Sequence, residues 1–526
     1  MIATLLKEAT PSFAWTKTLT HWRAEAFAGF VGAILVIPQG ITYAYLAGLQ
    51  PEYGLYCAIF VTLFSSLMGT SSMMSGPNTA VAILIGTAVL PLAGRGSPVY
   101  VDFVFLLCMM VGLIQLLFWL LRGAKIFQYM SPGSISGISA GAGFLIIMAS
   151  LDSILDLSTF NTTFFYEKLY VIISDSLHLV NPYSLAIGIT TILGGYLGKR
   201  FFPRYFIIVA ITAGYLCGLL VAFIWPQPVT ELEYLGRMPI QWIPFNIPTL
   251  NIEYLITSVS LIPYAITIAF IGLAQSLVIV RGLKMETNQD INLDKEVYAQ
   301  GIANFLAPFF SSFVGSGSFN RTRANLSLGG STPLSGILTA ICVLIMIMFL
   351  GPILTYMPMA AMAGTLFIVG ADMIKWQDIK HYAQVRSELV IYLATFLSII
   401  FSGLAAGVGV AVFLSISVFM FRISQLDLKL EETDSGIALK VKGALFYASV
   451  GQLTEIFHEH SKETITVDLQ YTTHIDQSAV DFFSRESKNM TSQGGKLTLL
   501  INDNQRKFLK TLGVCGELEL VSLNAE

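Results

Sequence analysis

The sequence predicts an α-helical membrane protein with fourteen spans, followed by a small α/β domain. Three observations support this fold class. The 526-residue chain is 54% hydrophobic and only 12% charged, which is too apolar for an ordinary soluble protein. Apolar runs of about 20 residues, the length that crosses a bilayer, recur from Ala24 to Phe421. Charge is concentrated at the end, where 25 of the 63 charged side chains (30 basic, 33 acidic) lie between Asp427 and Glu526.

These patterns divide the chain into three parts. Residues 1–23 form an N-terminal segment, residues 24–425 a membrane domain and residues 426–526 a soluble domain. The predicted spans are centred at Val36, Phe60, Ile83, Met110, Phe144, Thr190, Thr212, Ile268, Phe305, Leu326, Ile345, Leu366, Thr395 and Phe413.

The basic residues predict the orientation of the chain. An even number of spans places both ends on one side, and short cytoplasmic loops are enriched in Lys and Arg. Arg122, Lys199, Arg281, Lys375 and Arg422 all fall in loops on the side of the two ends. We therefore expect a multi-pass protein of the inner (plasma) membrane, with the N-terminal segment and the soluble domain in the cytoplasm.

The two halves of the membrane domain contain similar stretches. Two short segments follow glycine-rich sequence, SGPNTAVAIL (Ser75 to Leu84) and GSFNRTRANLSL (Gly317 to Leu328), and a second pair begins at Tyr129 and Tyr356. A repeat of seven spans has odd parity, so its second copy is inverted in the membrane. The pattern predicts a seven-plus-seven inverted repeat whose two broken helices meet near the midplane and form a substrate site.

The C-terminal part alternates strand and helix patterns. Strand-like runs begin at Ile437, Thr464, Lys496 and Leu518, and residues with helical spacing lie between them. This alternation predicts a small α/β domain.

Four stretches resemble a known family. AGFVGAILVIPQGITYAYLAGLQPEYGLYCAIF (Ala28 to Phe60), GTSSMMSGPNTAV (69–81) and GSFNRTRANLSLGGSTPLSGILTA (317–340) are similar to the sulfate permease (SulP) anion transporters. VDLQYTTHIDQSAVDFF (467–483) resembles the STAS domain of those transporters and of anti-sigma-factor antagonists. The resemblance implies a core domain that moves against a gate domain, a homodimer, and substrates such as sulfate, bicarbonate, chloride or dicarboxylates.

The two half-helix N-termini are the predicted substrate site. Unpaired N–H groups and about half a positive charge at each end attract anions, so we expect the amides around Asn78, Thr79, Phe319 and Asn320 to bind the anion. The alternative is that both asparagines only cap their helices, a role that Asn fills well.

Arg321 matches a basic residue that the family often places beside the site. A charged residue within a span is costly and usually functional, so we expect Arg321 to attract the anion; snorkelling or a packing hydrogen bond are the alternatives. Arg323 lies about 200° further around the helix, so both arginines cannot point at one ligand, and one of the two would face the cytoplasm.

Two residues of the first span are also candidates for the site. Pro38 interrupts the backbone hydrogen bonds, and Gln39 and Tyr43 share one helix face. The resemblance implies that both line the pocket; a simple kink, with Gln39 bonded to a neighbouring helix, is the alternative.

Gln275 stands where the family commonly has a glutamate. An amide cannot titrate, so we expect no proton symport through this position. Anion exchange is one alternative, and sodium coupling at a cation site near Thr267 and Ser276 is another. Gln275 could also keep the hydrogen bonds of the missing acid. No cofactor is predicted apart from this sodium ion, and no metal site.

In the soluble domain, Ser478 is a candidate regulatory residue, because it occupies the position phosphorylated in some stand-alone STAS proteins. Ser478 and Asp481 also fit a capping box at a helix start. A cytoplasmic protein partner of this domain is expected from the same resemblance.

These observations predict a secondary active transporter that carries a small inorganic anion, sulfate or bicarbonate, by alternating access. A passive anion channel or an uncoupled chloride or dicarboxylate exchanger would show the same residues. The net charge of -3 argues against nucleic-acid binding. We expect no enzyme activity, because the spans hold no nucleophile, metal or paired-carboxylate set, and a nucleobase carrier would need acidic residues in the site.

Overall fold

The computed structural model divides the chain into two compact units, Met1–Phe413 and Leu414–Glu526. The predicted N-terminal segment lies almost entirely outside the described residues. The structure describes residues 22–124, 131–157, 165–176, 179–203, 205–226, 231–236, 241–248, 251–287, 290–433, 436–502, 505–506 and 519–522.

Among the described residues of the membrane domain, fourteen helical segments correspond to the predicted spans, and each predicted span centre lies inside one of them. Three further short helices, Phe165–Val171, Ile252–Ser258 and Trp376–Tyr382, lie between these segments. Seven of the described helices are long and apolar enough to cross a membrane. The segments are α1 (Trp22–Leu46), α2 (51–68, with a π-helical turn at Cys57–Val61), α3 (Thr79–Val89), α4 (Pro98–Leu120), α5 (Pro132–Leu155), α6 (Pro182–Phe201), α7 (Phe206–Ile224), α8 (Ile262–Thr287), α9 (Leu293–Leu306), α10 (Phe319–Ser327), α11 (Leu334–Leu354), α12 (Met359–Met373), α13 (Arg386–Ser402) and α14 (Leu404–Ser424).

The packing of these helices has the symmetry of an inverted repeat. When each helix of the first seven is matched with the helix seven places later, the contacts come in equivalent pairs. Helix α1 packs against α11 as α8 packs against α4, and α2 packs against α11 as α9 packs against α4. Helix α5 packs against its own counterpart α12, and the contact of α5 with α13 matches that of α12 with α6. The predicted seven-plus-seven repeat is therefore confirmed.

The same contacts separate a core group of helices from a gate group. Helices α1 to α4 pack extensively with α8, α9 and α11, while α5 to α7 pack with α12 and α13. Between the groups, contacts are fewer and are made mainly by α1 and α3 against α5, α7 and α12. The core group and the gate group are thus joined by few contacts.

Helices α3 and α10 are too short to cross a bilayer. They have 11 and nine residues, or about 16 and 14 Å at ~1.5 Å per residue, against a hydrocarbon core of about 30 Å. Each follows an extended stretch, and the two stretches run antiparallel. Ser316 N donates to Gly76 O and Ser318 N donates to Met74 O, both over 2.9 Å. This pairing satisfies backbone groups that lipid could not and holds the two half-helix starts together.

The C-terminal unit is a six-stranded sheet with two described helices. The strands lie in the order β1-β2-β3-β5-β6, with β4 paired to β2 beyond the end of β3. The β1–β2 pair is antiparallel and the others are parallel. The elements are β1 (Asp427–Thr433), β2 (Gly436–Leu445), α15 (Tyr447–Glu459), β3 (Thr464–Asp468), β4 (Thr472–Ile475), α16 (Gln477–Ser492), β5 (Lys496–Ile501) and β6 (Glu519–Ser522).

The four predicted strands are present, and the sequence missed two others. Strand β1 is an exposed edge strand with charged residues along much of its length, so it lacks the apolar alternation that marks a half-buried strand. Strand β4 has only four residues. The aromatic core of this unit includes Phe457, Phe482 and Phe483, which pack edge to face.

Candidate functional site

The start of helix α3 is a capped helix N-terminus linked to the opposite stretch. Asn78 accepts a hydrogen bond from Ala80 N over 3.1 Å, and its Nδ2 donates to Gly317 O over 3.1 Å. Asn78 is therefore the N-cap of α3, as the capping alternative holds. The following residue, Thr79, is buried.

Asn320 does not cap helix α10 in the way that Asn78 caps α3. Its N-cap is Ser318, which makes no side-chain capping bond, and Phe319 is the first helical residue. Asn320 is the second residue of the helix and is exposed, so the interpretation of Asn320 as a cap is wrong. The N–H groups at this end consequently keep their capacity to bind an anion.

Arg321 lies in the first turn of α10 and reaches the start of α3. Its side chain is buried, with 4% of the residue exposed, and Nη2 donates to the carbonyl oxygen of Pro77 over 2.9 Å. Nε has no hydrogen-bond partner within the described part of the chain. The packing alternative is thus present and snorkelling is excluded, but a guanidinium has five N–H donors and can bind an anion as well.

Gly76 makes room for this guanidinium. A Cβ at this position would lie 3.0 Å from Arg321 Nη1 and 2.8 Å from Thr62 Oγ1, and the φ of +130° is one that L side chains rarely adopt. A side chain here would therefore push Arg321 away from the start of α3.

Arg323 points elsewhere, as its helical spacing predicts. It is exposed, and its guanidinium lies 4.9 Å from the centre of the Phe319 ring. The Lys375 ammonium lies 5.4 Å from the same ring. The exposed Phe319 side chain thus contacts two cations, while its backbone belongs to the start of α10.

Helix α1 passes the half-helix starts with its predicted residues buried. Gln39 and Tyr43 are 9% and 6% exposed. The Tyr43 side chain interacts with the side chain of Thr79 and with the charge of Arg321. Pro38 lies within a continuous helix, and its carbonyl oxygen accepts a bond from Thr42 Oγ1 over 2.6 Å. The structure therefore brings Tyr43, Thr79 and Arg321 together.

Gln275 lies in different surroundings from Arg321. Its Oε1 is buried and has no partner among the described residues. The side chain lines a small, mainly apolar cleft between α5, α8 and α14. The other lining residues are Ile135, Ile138, Phe270, Ile271, Ala274 and Val408.

The suggested cation site at Thr267 and Ser276 is not a single site. Both residues lie on the continuous helix α8, nine positions apart, which is about 13.5 Å along the axis, so they cannot bind one sodium ion. Each hydroxyl donates to a carbonyl of its own helix, Pro263 O and Gly272 O. Ser276 Oγ also accepts from Gly317 N over 2.9 Å, so it supports the stretch before α10. No cluster of metal-binding side chains occurs among the described residues.

Ser478 is not the cap of helix α16. Asp476 is the N-cap and accepts from Ala479 N over 2.9 Å, while Ser478 is the second helical residue and is half-buried. Asp481 instead accepts from Gln477 Nε2 over 2.9 Å. The capping-box interpretation is wrong because the carboxylate two residues earlier fills that role.

A set of buried polar contacts around the site was not identified from the sequence. They join the stretch before α3 to helices α9 and α10, through Glu296, Gln300, Thr322 and Asn325. The signal that could have revealed them is the presence of buried polar residues within spans, which is rare without function. The sequence alone does not show which residues they meet.

Comparison with known proteins places this architecture in a family. The sulfate permease family matches residues 23–395, and the STAS domain matches residues 427–520. The chain therefore belongs to the sulfate permease family, as its motifs suggested. It is a membrane-spanning anion transporter of this kind with a C-terminal STAS domain.

Curated relatives cover almost the whole chain at low identity. The putative sulfate transporter YvdB of Bacillus subtilis (strain 168) is 24% identical over 93% of both chains. Sulfate transporter 4.1, chloroplastic, of Arabidopsis thaliana is 22% identical over 97% of this chain and 80% of its own length.

Solved structures share the fold. The structure of SLC26A9 matches with a TM-score of 0.86 at 18% identity, over 99% of this chain and 92% of that one. The transmembrane domain of the cyanobacterial bicarbonate transporter BicA matches with a TM-score of 0.63 at 21% identity, over 75% of this chain and 97% of that one.

Proposed function

We propose that this protein is a secondary active transporter of a small inorganic anion, sulfate or bicarbonate, that works by alternating access. The anion would be held between the starts of α3 and α10, beside Arg321 and under Tyr43 and Gln39. Relatives named as sulfate transporters support the first substrate, and the fold match to a bicarbonate transporter supports the second.

The observation that carries this proposal is the convergence of positive potential on one point of the core group. Two antiparallel stretches bring two half-helix N-termini together, and the buried Arg321 guanidinium lies beside the start of α3. Helix N-termini and a buried guanidinium both favour an anion. A neutral or cationic substrate would gain nothing from this arrangement.

The division into core and gate supports alternating access. The site belongs to core helices, and the gate helices contact the core mainly through α1 and α3. Tyr45 Oη on α1 and Ser153 Oγ on α5 are hydrogen-bonded over 3.0 Å, at the end of α1 away from Trp22. A contact of this kind can be broken when the core moves against the gate.

Coupling, orientation and assembly follow as parts of the same proposal. We place the N-terminal segment and the STAS domain in the cytoplasm, because the basic loops lie on that side. The transporter would be a homodimer, with the STAS domain and Ser478 available to a cytoplasmic partner. Because Gln275 cannot titrate, we favour exchange for another anion or sodium coupling over proton symport.

Purified protein in liposomes tests the function. Uptake of labelled sulfate, bicarbonate, chloride and fumarate would be measured with imposed sodium, proton and counter-anion gradients. We expect saturable uptake of sulfate or bicarbonate, driven above equilibrium by a sodium or counter-anion gradient. The matched control is the Arg321→Ala protein at equal amounts in the same liposomes.

The result also separates the proposal from its alternatives. A passive channel would give conductance that never exceeds electrochemical equilibrium, and an uncoupled exchanger would take up chloride or fumarate in preference. Absence of uptake for all four anions would contradict the proposal.

A further inference from the structure

The stretch that leads into helix α3, residues 69–78, is held by side chains of the second repeat. We call it the lead segment. It has the sequence GTSSMMSGPN and no regular helix, so its position depends on contacts made by its backbone and hydroxyl groups. The position of the α3 start depends on this segment. The start of α3 forms one half of the proposed anion site.

Glu296 makes four hydrogen bonds to the beginning of the lead segment. Its Oε1 accepts from Thr70 N over 2.6 Å, from Thr70 Oγ1 over 2.8 Å and from Ser71 N over 2.8 Å. Its Oε2 accepts from Ser71 Oγ over 3.0 Å. Glu296 is only 3% exposed. A buried carboxylate is costly unless it is well hydrogen-bonded, and these four donors satisfy it.

The position of Glu296 in its own helix also favours the carboxylate. It lies in the first turn of α9, where the N-cap Asn292 accepts from Lys295 N over 3.2 Å. Negative charge is stabilised at a helix N-terminus. Asn292 N in turn donates to Thr70 Oγ1 over 3.3 Å. Two residues at the start of α9, Asn292 and Glu296, therefore hydrogen-bond to Thr70.

Helix α10 makes most of the side-chain contacts to the later part of the lead segment. Asn325 Nδ2 donates to Ser72 O over 3.1 Å, and Thr322 Oγ1 accepts from Met74 N over 3.0 Å. Arg321 holds the far end through Pro77. The first two residues after Gly69 are therefore held by α9. The later ones are held by α10 and by Gln300 of α9, whose Nε2 donates to Ser75 Oγ over 2.6 Å.

We propose that Glu296 is a positioning residue for the anion site. It anchors the beginning of the lead segment and thereby sets the place of the α3 N-terminus relative to α10 and Arg321. Glu296 itself does not touch the anion. The inference rests on the proposed function, since it concerns the geometry of the same site.

The test compares substitutions at Glu296 with a matched carboxylate in the gate. Glu296→Ala removes all four bonds, and Glu296→Gln keeps one acceptor oxygen and the shape. The control is Glu388→Gln, because Glu388 also lies in the first turn of a helix and accepts from a serine hydroxyl and a backbone N–H, those of Ser131 and Gly133 at the start of α5. All variants would be compared at equal amounts of folded, inserted protein.

We expect the KM for anion uptake to rise about tenfold in Glu296→Ala and by less in Glu296→Gln, because hydrogen bonds to a charged group are among the stronger ones. Glu388→Gln is expected to lower the melting temperature without changing KM. Hydrogen exchange of the lead segment should become faster in the Glu296 variants only.

Ser71→Ala weakens the same contact from the side of the lead segment and is a smaller change. It keeps the proposal testable if Glu296→Ala fails to fold. It removes one donor to Oε2, and its effect on KM should not add to that of Glu296→Gln, since both act on one contact. Additive effects would overturn the inference, as would unchanged KM and lead-segment exchange in every variant. Absence of anion uptake by the wild-type protein would instead refute the proposed function, and the exchange measurement would still report on the anchor.

Discussion

Arg321 of the second repeat donates a hydrogen bond to the carbonyl oxygen of Pro77 in the first repeat, 244 positions earlier in the chain, over 2.9 Å. The bond joins the first turn of α10 to the residue just before the N-cap of α3. It uses one of the five N–H donors of the guanidinium, and Nε has no partner among the described residues. The side chain therefore both connects the half-helices and offers donors to an anion.

Replacement of Arg321 should abolish or strongly reduce transport. Arg321→Ala removes the buried charge and the bond to Pro77, and we expect uptake at subsaturating anion to fall at least about tenfold, the effect of ~1.4 kcal/mol. Arg321→Lys should retain part of the activity because it keeps the charge without the planar fork. The measurement is initial uptake into liposomes containing equal amounts of folded protein.

Arg323→Ala is the matched control for that prediction. Arg323 lies two residues away on the same helix but is exposed and stacked on Phe319. We expect a milder loss of uptake. An Arg321→Ala protein that transports at the wild-type rate would contradict the role given to Arg321.

The Tyr45–Ser153 hydrogen bond should bias the equilibrium between core and gate positions. Tyr45→Phe removes the hydroxyl and keeps the ring, and a neutral hydrogen bond contributes about 1 kcal/mol, or roughly a fivefold shift toward the state in which α1 and α5 separate. Spin labels on α1 and α5 would report the change in the distance distribution.

Ser153→Ala removes the same bond from the other side. Its effect should equal that of Tyr45→Phe, and the double variant should show no further shift. An unchanged distance distribution in both single variants would show that the Tyr45–Ser153 hydrogen bond does not affect the equilibrium between core and gate positions.

A glutamate at position 275 should create proton dependence. Gln275 lines a mainly apolar cleft, and a carboxyl group there could take up a proton, which the amide cannot. Moving one uncompensated charge against 100 mV costs roughly 2.3 kcal/mol, and a bound proton removes that cost. We expect Gln275→Glu, but not wild type, to accumulate anion when only a proton gradient is imposed.

The assay for this prediction compares both proteins under proton, sodium and counter-anion gradients imposed separately. Wild-type uptake driven by protons alone, with no sodium and no internal anion, would refute the coupling argument.

A chain that ends at Ser424 should still fold and bind its anion. The membrane unit has its own buried core, and the STAS unit has a separate one. Strand β1 begins at Asp427 and pairs along its length with β2, so a cut after Ser435 would leave an unpaired edge strand and favour aggregation. Size-exclusion chromatography and anion-dependent thermal stabilisation would be measured for both truncations.

We expect the protein ending at Ser424 to be monodisperse and stabilised by anion, and the one ending at Ser435 to aggregate more. Failure of the shorter protein to insert or to respond to anion would show that the membrane unit depends on the STAS domain.

Much of the fold was predictable because it depends on local patterns. Span length and hydropathy locate the fourteen helices, and the similarity of the stretches around Asn78 and Asn320 identifies the two half-helices. The inverted repeat then follows from parity. These features reside in the sequence near each helix.

The details of the site were less predictable because they depend on contacts between distant residues. Glu296 meets Thr70 across 226 positions, and no local pattern pairs them. The cap of α10 proved to be Ser318 rather than Asn320, since the helix begins where the antiparallel pairing of the lead-in stretches ends. Thr267 and Ser276 cannot form one cation site because they lie on different turns of the continuous helix α8.

A difference map of the protein with and without its transported anion would locate the bound anion directly. Selenate can replace sulfate to give an anomalous signal if sulfate is the substrate. We expect one strong peak within hydrogen-bonding distance of backbone N–H groups at the starts of both α3 and α10 and beside Arg321. The peak should be lost in Arg321→Ala. A peak elsewhere in the membrane unit, or none at an anion concentration that saturates uptake, would contradict the proposed anion site.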